Sequence, residues 1–500
     1  MHDSIDPVFL AHQPQSIAET GLAHASKRGA RHASVRLEQT RHAETILLDG
    51  VLAGEGDTTE LGLSVQVRPN GGATGFAATT EISPGAVTSA VDHAIAMATA
   101  SSRIGGDYGE PADEPIYRDE VWLSDYRVNP FTIAADERAR FLTKWSDALL
   151  KHDDVASVHA KLVAVQETKF YADLAGTTTT QQRVRVHPRV TITGRRADGS
   201  AETVSTLGPP TGRGWEYLLG DGWDWEAEIA ELPGHLSDKL RATELADGCY
   251  DLVADPSHLW LTIHETIGHA TELDRALGHE MSYAGATFTA PHDIGTLRFG
   301  SPLLNVIAER TSAHGLATVG FDDQGVAAQR WPLIEDGVLT GFQTDRDTAV
   351  ALGAARSTGC AFAGSALHPP LSRLPNVSVL PGEDDVTTRH LIGDVRDGVY
   401  VVGPSSWSID MRRSNFQFTA DRCYRIRNGR LTHQLRDVAY QWNTTDLWRS
   451  LAALGGERSY QTFGADLCGK GRPVQIAAAS HGSPPALFRN VPMRTIDGTR

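Results

Sequence analysis

The segment between Asp255 and Gly278 constrains the fold more than any other part of the chain. Asp255-Pro256 is a good helix start, because Asp accepts hydrogen bonds from free backbone N–H groups and Pro suits the first helical position. Gly278 supplies a suitable stop. Between them, apolar residues recur at spacings of three and four: Leu259, Ile263, Ile267, Ala270, Leu273 and Leu277. The pattern predicts one long helix over residues 256–277 whose apolar face packs inward.

The length and the remaining patterns predict an α+β fold of two domains. Five hundred residues are too many for one compact core. Residues 1–240 alternate helix-like and strand-like patterns, which predicts a mixed α/β N-terminal domain. In residues 241–500 the long helix is followed by many short strands with turn signals such as Glu335-Asp336-Gly337. We therefore expect a strand-rich C-terminal domain built around this helix.

Local patterns place several elements of the N-terminal domain. Helices are predicted over residues 16–27, 84–100 and 134–150. Strands are predicted over residues 33–38 and 61–67, and a turn at Asn70-Gly71-Gly72 predicts a hairpin into residues 75–78.

Composition and charge exclude several classes of protein. The net charge of −16 argues against general attraction to nucleic acid or to anionic lipid, and no nucleic-acid-binding motif is recognised. No segment reaches the roughly 18 to 20 apolar residues of a membrane span, and the N-terminus lacks a secretory pattern. The four cysteines are widely spaced, which favours free thiols. We expect a cytoplasmic protein that binds neither nucleic acid nor membrane.

The predicted helix contains the pattern His264-Glu265-x-x-x-His269, with five residues from one histidine to the next. In a regular helix this spacing turns the two side chains about 140° apart, so they cannot share one metal ion. A single π-helical turn absorbs one extra residue and would bring the histidines together, and Gly268 lowers the steric barrier to such a turn. The alternative is an ordinary helix with two surface histidines and a solvated Glu265.

A catalytic zinc site needs three protein ligands and one open position, so a third ligand must come from elsewhere. Glu272 lies three residues past His269 on the same predicted helix. Cys468 lies in the sequence DLCGKGRP, which predicts a glycine-rich loop, and the nearby Lys470 is expected to favour its thiolate. The alternative for an isolated cysteine is a buried, inert thiol.

The segments HETIGHATELD, DLCGKGRP and SHGSP together resemble the TldD branch of the TldD/PmbA metallopeptidase family. The stretch TVGFDDQGVAAQRWPLIEDGVLTGF and the Ser414-Asn415-Phe416-Gln417-Phe418 segment are similar to that family as well. The similarity is looser in the N-terminal half. One segment departs from the family pattern, which usually reads D-P-x-S-G-x-F-x-F: residues 410–416 contain neither Pro nor Gly. We expect this loop to contact substrate and the specificity to differ accordingly.

The resemblance implies that His264, His269 and Cys468 bind one zinc ion per chain and that Glu265 is the general base. Glu272 and Asp274 become candidates for orienting the imidazoles, with simple solvation as the alternative. His481 is interpreted as a turn residue without a chemical role.

The resemblance also implies a zinc-dependent peptidase that hydrolyses peptides or unstructured polypeptide segments in the cytoplasm. It implies a heterodimer with a TldE/PmbA-like subunit, with a homodimer as the alternative, in which residues 1–240 contribute to assembly and to a substrate chamber. Two other functions stay open. One is a hydrolase that removes leader peptides in peptide natural-product biosynthesis; the other is a non-catalytic subunit with a structural zinc closed by four protein ligands.

Overall fold

The computed structural model describes residues 5–105, 109–283, 285–383 and 385–496. Long strands and a smaller number of helices are mixed without a regular alternation, which confirms the α+β fold class. Within these ranges, no helix is long and apolar enough to cross a membrane.

Long antiparallel strands form the sheet of the first half. In chain order they are β1 His32–Leu48, β2 Val51–Arg68, β3 Gly75–Thr79, β4 Glu120–Leu123, β5 Ser157–Asp173, β6 Thr178–Arg195 and β7 Ala201–Ser205. The strand order is β3-β2-β1-β5-β6-β4, with β7 paired to β6 and only β4 running parallel to its neighbour β6. The predicted strands are confirmed, but β1 and β2 are much longer than expected. Residues 51–60 of β2 are mostly exposed and polar, so their sequence carries no apolar alternation that would mark a strand.

Helices pack against this sheet. They are α1 Pro7–Leu10, α2 Pro14–Lys27, α3 Pro84–Ser102, α4 Ala135–Leu149 and α5 Trp225–Leu240. The three predicted helices are confirmed as α2, α3 and α4. The side chain of Ser83 accepts a hydrogen bond from the N–H of Ala86, which explains why α3 begins at Pro84.

The second half contains fifteen further strands within the described residues. They are β8 Gly248–Ala254, β9 Val306–Glu309, β10 Arg330–Glu335, β11 Val338–Leu339, β12 Ala361–Phe362, β13 Leu371–Ser372, β14 Asn376–Val379, β15 Asp397–Ile409, β16 Asn415–Arg427, β17 Arg430–Leu435, β18 Val438–Asn443, β19 Leu451–Leu454, β20 Gln461–Lys470, β21 Gln475–Ser483 and β22 Ala486–Thr495. Helices are α6 Pro256–Ile263, α7 Leu273–Ala276, α8 Arg346–Ala349, α9 Thr388–Gly393 and α10 Thr444–Arg449.

Five of these strands close a ring around the core of the second half. The order is β15-β8-β22-β18-β16, and β16 pairs back to β15. β20 and β21 form a separate antiparallel pair, and β14 belongs to a four-stranded sheet with β9, β10 and β11. The first sheet uses residues 32–205 and the ring uses residues 248–495. The domain division at residue 240 is not tested by this arrangement and stays a proposal.

The helix predicted over residues 256–277 is interrupted, so this prediction is wrong in its extent. After α6 the chain forms a π-helical turn over His264–Gly268 and a 3-10 turn over His269–Thr271. Glu272 is extended, with φ −73° and ψ 117°, before α7 resumes. The break is stabilised by Gln343, because the N–H of Gln343 donates to Thr271 O and Gln343 O accepts from the N–H of Leu273. These hydrogen bonds replace those that the helix would have made.

Candidate metal centre

The π-helical turn solves the spacing problem of the two histidines. The N–H of His269 donates to the carbonyl of His264, five residues earlier, so one turn contains the extra residue. The two imidazole ring centres consequently lie 4.7 Å apart. At Gly268, an added Cβ atom would lie 2.5 Å from Cδ2 of Leu374, so any larger residue would force this side chain to shift. Asp255 caps the start of α6 by accepting a hydrogen bond from Ser257 N, as expected.

Cys468 lies beside these histidines. Its Sγ is 3.4 Å from Nε2 of His269, and the candidate ligand atoms of His264, His269 and Cys468 all lie within 4.8 Å of one another. The expected loop position is wrong: Cys468 is part of β20, next to an irregularity in the pairing of β20 with β21. The structure thus brings together all three residues that the sequence predicts as metal ligands, across about two hundred positions of the chain.

Two buried cations, Arg373 and Lys470, lie near Cys468, and it is Arg373 rather than the predicted Lys470 that lowers the pKa of the thiol. Arg373 is 1% exposed and donates hydrogen bonds to the carbonyls of Cys468 and Gln475, which ties β20 to β21. Burial opposes ionisation of Cys468, but His269 and Arg373 together bring the pKa of its thiol below the ordinary value. Lys470 was expected to play this part. Its ammonium group instead binds carboxylates behind His269.

His481 contacts His264 and was misinterpreted from the sequence as a turn residue. It lies in β21 with 0% exposure, and its Nδ1 is 2.9 Å from the carbonyl of Val377. A carbonyl only accepts, so we assign the proton of His481 to Nδ1. Its Nε2, 2.7 Å from Nδ1 of His264, must then accept a hydrogen bond from the N–H at that nitrogen. This arrangement leaves Nε2 of His264 as the nitrogen with a free electron pair.

Glu272 fixes the other histidine in the same way. Its Oε2 lies 2.8 Å from Nδ1 of His269, so Nδ1 donates and Nε2 faces Cys468. Glu272 Oε2 also accepts from Nε of Arg275, and Oε1 lies 3.2 Å from Nζ of Lys470. Both oxygens are therefore engaged behind the imidazole. This geometry favours the orienting role over the alternative in which Glu272 is the third ligand.

The charges around Glu272 form a closed, buried network. Lys470 is 2% exposed, and its Nζ lies 2.6 Å from Oδ2 of Asp274 and 2.7 Å from the carbonyl of Ser372. Burial alone would raise the pKa of Glu272, but Lys470 and Arg275 hold it well below the ordinary value. Two carboxylates and two cations thus balance each other. Asp274, the other candidate for orienting an imidazole, contacts Lys470 and reaches His269 only through this network.

The histidines are held in the form that binds metal. Burial lowers the pKa of His264 and lowers the pKa of His269 to about 4, so both imidazoles are neutral near pH 7. Two neutral imidazoles and a thiolate suit zinc. Zinc bonds of 2.0–2.3 Å in a tetrahedron place neighbouring ligand atoms about 3.5 Å apart, close to the 3.4 Å between Sγ of Cys468 and Nε2 of His269. The residues present therefore fit the metal.

Glu265 lies at the edge of this cluster with 7% exposure. Its Oε2 accepts a hydrogen bond of 2.6 Å from Nη1 of Arg413. Arg413 is one of the residues 410–416 that depart from the expected family pattern, and no sequence pattern predicts its position beside Glu265. His481 did carry a signal, because it lies in one of the motifs of the resemblance, but its contact partner is 217 positions away.

Comparison with known proteins finds similarity to metallopeptidases. The model of the PmbA/TldA metallopeptidase C-terminal domain matches residues 247–494. A metalloprotease of Archaeoglobus fulgidus is 30% identical over 393 residues, which cover 77% of this chain and 82% of that protein. A metalloprotease of Methanothermobacter thermautotrophicus is 26% identical over 465 residues, which cover 92% and 94%.

A solved structure shows that the overall fold is shared. The structure of TldE from Thermococcus kodakarensis superposes with a TM-score of 0.74 over 95% of this chain and 99% of the other. Sequence identity between the two is 16%, so this likeness speaks for the fold alone.

Proposed function

The chain belongs to the TldD/PmbA family of metallopeptidases, and from this premise we propose that it is a zinc-dependent peptidase that hydrolyses peptides or unstructured polypeptide segments. The observation that carries the proposal is the convergence of His264, His269 and Cys468, with Glu265 at its edge. Three ligands leave one position of a tetrahedral zinc ion open, which is the arrangement of catalytic sites.

Each residue has a defined part in the proposed reaction. Nε2 of His264, Nε2 of His269 and Sγ of Cys468 would hold one zinc ion per chain. When bound there, zinc would lower the pKa of a water molecule toward 7 and polarise the carbonyl of the scissile bond. Glu265 would accept a proton at its carboxylate and pass it to the leaving amine. His481 and Glu272 keep the protons of the two imidazoles on Nδ1, so that the ligand nitrogens stay free.

We extend the proposal to the partner. The fold shared with TldE supports pairing of this chain with a TldE-like subunit, because paralogous chains of one fold can form a pseudo-symmetric dimer. Co-expression of the two chains followed by size-exclusion chromatography tests this pairing. Elution of this chain as a homodimer in the presence of its partner would contradict it.

The test of the peptidase combines metal content with hydrolysis of an unstructured protein. We expect about one zinc ion per chain in the wild type and in Glu265→Gln, but a loss of hydrolysis of about 10²–10⁴-fold in this variant, because the amide cannot accept the proton. Cys468→Ala is expected to lose most of its zinc. Cys423→Ala is the matched control, since Cys423 is also buried but lies in the core of the ring of strands.

The outcomes separate the parts of the proposal. Full activity of Glu265→Gln would remove this residue from the mechanism. Zinc that survives in Cys468→Ala as well as in Cys423→Ala would require a different third ligand. A wild type that binds no zinc in zinc-containing buffer would refute the peptidase proposal as a whole.

A further inference from the structure

The turn between β15 and β16 holds an arginine in an unfavourable backbone conformation. Arg413 has φ +61°, a region that is unfavourable for an L-residue and that glycine adopts freely. The turn is nevertheless well fixed. Asp410 accepts hydrogen bonds from Ser414 N and Asn415 N, and Thr444 Oγ1 donates to the carbonyl of Arg413. A strained residue that the surroundings hold in place is a signal of function.

The side chain of Arg413 points inward to Glu265. The Arg413 and Glu265 side chains are 13% and 9% exposed, and 2.6 Å separate Nη1 from Oε2. Among the residues that the structure describes, Arg413 is the only one whose side chain hydrogen-bonds the carboxylate of Glu265. A guanidinium–carboxylate pair is strong and directional, particularly when it is largely shielded from water. The orientation of Glu265 therefore depends on one partner from another part of the chain.

From this arrangement we propose that Arg413 is the positioning residue for Glu265. Arg413 holds Oε2, so the carboxylate cannot turn freely about its side-chain bonds, and Oε1 takes no hydrogen bond from the described residues and can accept a proton. The inference rests on the proposed function, because it assumes that Glu265 is the general base. It adds to the metal ligands a residue that acts on the reaction through Glu265.

A purely structural role is the competing explanation. In that case the pair only neutralises two shielded charges, and its removal would lower stability without a specific effect on turnover. The two explanations differ in kcat. A base that is misplaced by about 1 Å loses about 10²-fold in rate, whereas substrate binding elsewhere is unaffected.

Kinetics of three variants separate these explanations. Arg413→Ala keeps a Cβ atom and therefore the same backbone strain; we expect normal zinc content, a KM within about twofold and a kcat about 10²-fold lower. Free guanidinium ion, below concentrations that unfold the protein, is expected to restore part of the kcat of this variant but not of Glu265→Gln. Arg413→Lys should retain intermediate activity. Arg430→Ala, which removes an exposed arginine at the start of β17 and outside this turn, is the control and should match the wild type.

A readout independent of activity completes the test. Crystal structures of the zinc-loaded wild type and of Arg413→Ala should show one orientation of the Glu265 carboxylate in the wild type and a displaced or multiple orientation in the variant. An unmoved carboxylate, an unchanged kcat, or a loss that guanidinium does not restore would overturn the proposal. If the wild type cleaves no peptide, the proposed function fails, and the two crystal structures still decide whether Arg413 positions Glu265.

Discussion

Replacement of His481 by alanine tests whether the proton arrangement behind His264 controls metal binding. In the wild type, His481 donates to the carbonyl of Val377 and accepts from Nδ1 of His264, over distances of 2.9 and 2.7 Å. Without it, Nδ1 of His264 loses its acceptor and no longer favours the proton position that frees Nε2. His264 then populates two tautomers and its ring is less restrained, so zinc binding must select one tautomer and one ring orientation.

The expected magnitude follows from the contacts that are lost. Removal of an outer partner of a metal-bound histidine typically weakens metal binding 10–100-fold, which equals about 1.4–2.8 kcal/mol. The carbonyl of Val377 and the N–H of His264 also lose partners in a buried site, at about 1–3 kcal/mol each. This second cost falls on the protein with and without metal, so it lowers the free energy of unfolding more than it lowers zinc affinity.

Two measurements distinguish these effects. Zinc affinity is measured on the metal-free protein by competition with a chelator, and stability by urea denaturation. His258→Ala is the matched control: His258 is 0% exposed and also has two hydrogen-bond partners, Gly403 O at 2.9 Å and Tyr440 Oη at 2.8 Å. We expect both variants to lose stability and only His481→Ala to lose affinity. His481→Gln should retain part of the zinc affinity, because an amide can donate a hydrogen bond to the carbonyl of Val377 and accept one from Nδ1 of His264.

One result would refute the reasoning directly. If His481→Ala binds zinc as tightly as the wild type, the contact with His264 does not set its proton. If His258→Ala weakens zinc binding to the same degree, the loss reflects general destabilisation of the helix that carries the ligands.

Two further predictions concern buried charges. Lys470→Met leaves Glu272 and Asp274 without their shared cation. We therefore expect the free energy of unfolding, measured with urea, to fall by about 3–5 kcal/mol, and zinc binding, measured by chelator competition, to weaken. A free energy of unfolding within about 1 kcal/mol of the wild type would contradict the network. Burial raises the pKa of Asp322 from 3.8 to about 7, so the folded protein holds this proton more tightly than the unfolded chain. The contribution of this proton to the free energy of unfolding is fully present below pH about 4 and is lost as the pH rises to about 7. Over this range the free energy of unfolding falls by at most about 1.4 kcal/mol per pH unit on account of Asp322. Urea denaturation between about pH 5 and 8 should show this slope in the wild type and not in Asp322→Asn; parallel curves would contradict it.

The local part of the metal site could be predicted from sequence because its geometry is a property of one helix. The separation of five positions from His264 to His269 requires one extra residue in a turn, and the structure has the π-helical turn that this spacing demands. The cap at Asp255 and the positive φ of Gly278 are equally local. By contrast, the helix was expected to continue past Glu272, because apolar periodicity reports which face is buried and not whether the backbone hydrogen bonds are intact.

Partners distant in the chain could not be derived in this way. The contact of His481 with His264 depends on the position of β21 beside β14, and that of Arg413 with Glu265 on a turn between two ring strands. Sequence patterns predicted neither the register nor the packing that creates these contacts. Lys470 shows the same limit: its nearness to Cys468 in the chain suggests an effect on the thiol, whereas its ammonium group binds the carboxylates of Glu272 and Asp274, whose position depends on the break in the helix.

The interrupted helix has its own set of stabilising contacts. A π turn and an extended residue both leave backbone groups that a regular helix would satisfy, and a buried unpaired group costs about 1–3 kcal/mol. Gln343, at 0% exposure, supplies the missing partners: its Nε2 lies 2.6 Å from the carbonyl of Gly268 and 2.8 Å from Oγ1 of Thr271, and its backbone bonds Thr271 and Leu273. These contacts come from a fixed neighbouring segment rather than from the ligands. The irregular turn, which brings His264 and His269 together, is therefore stabilised by the protein around it.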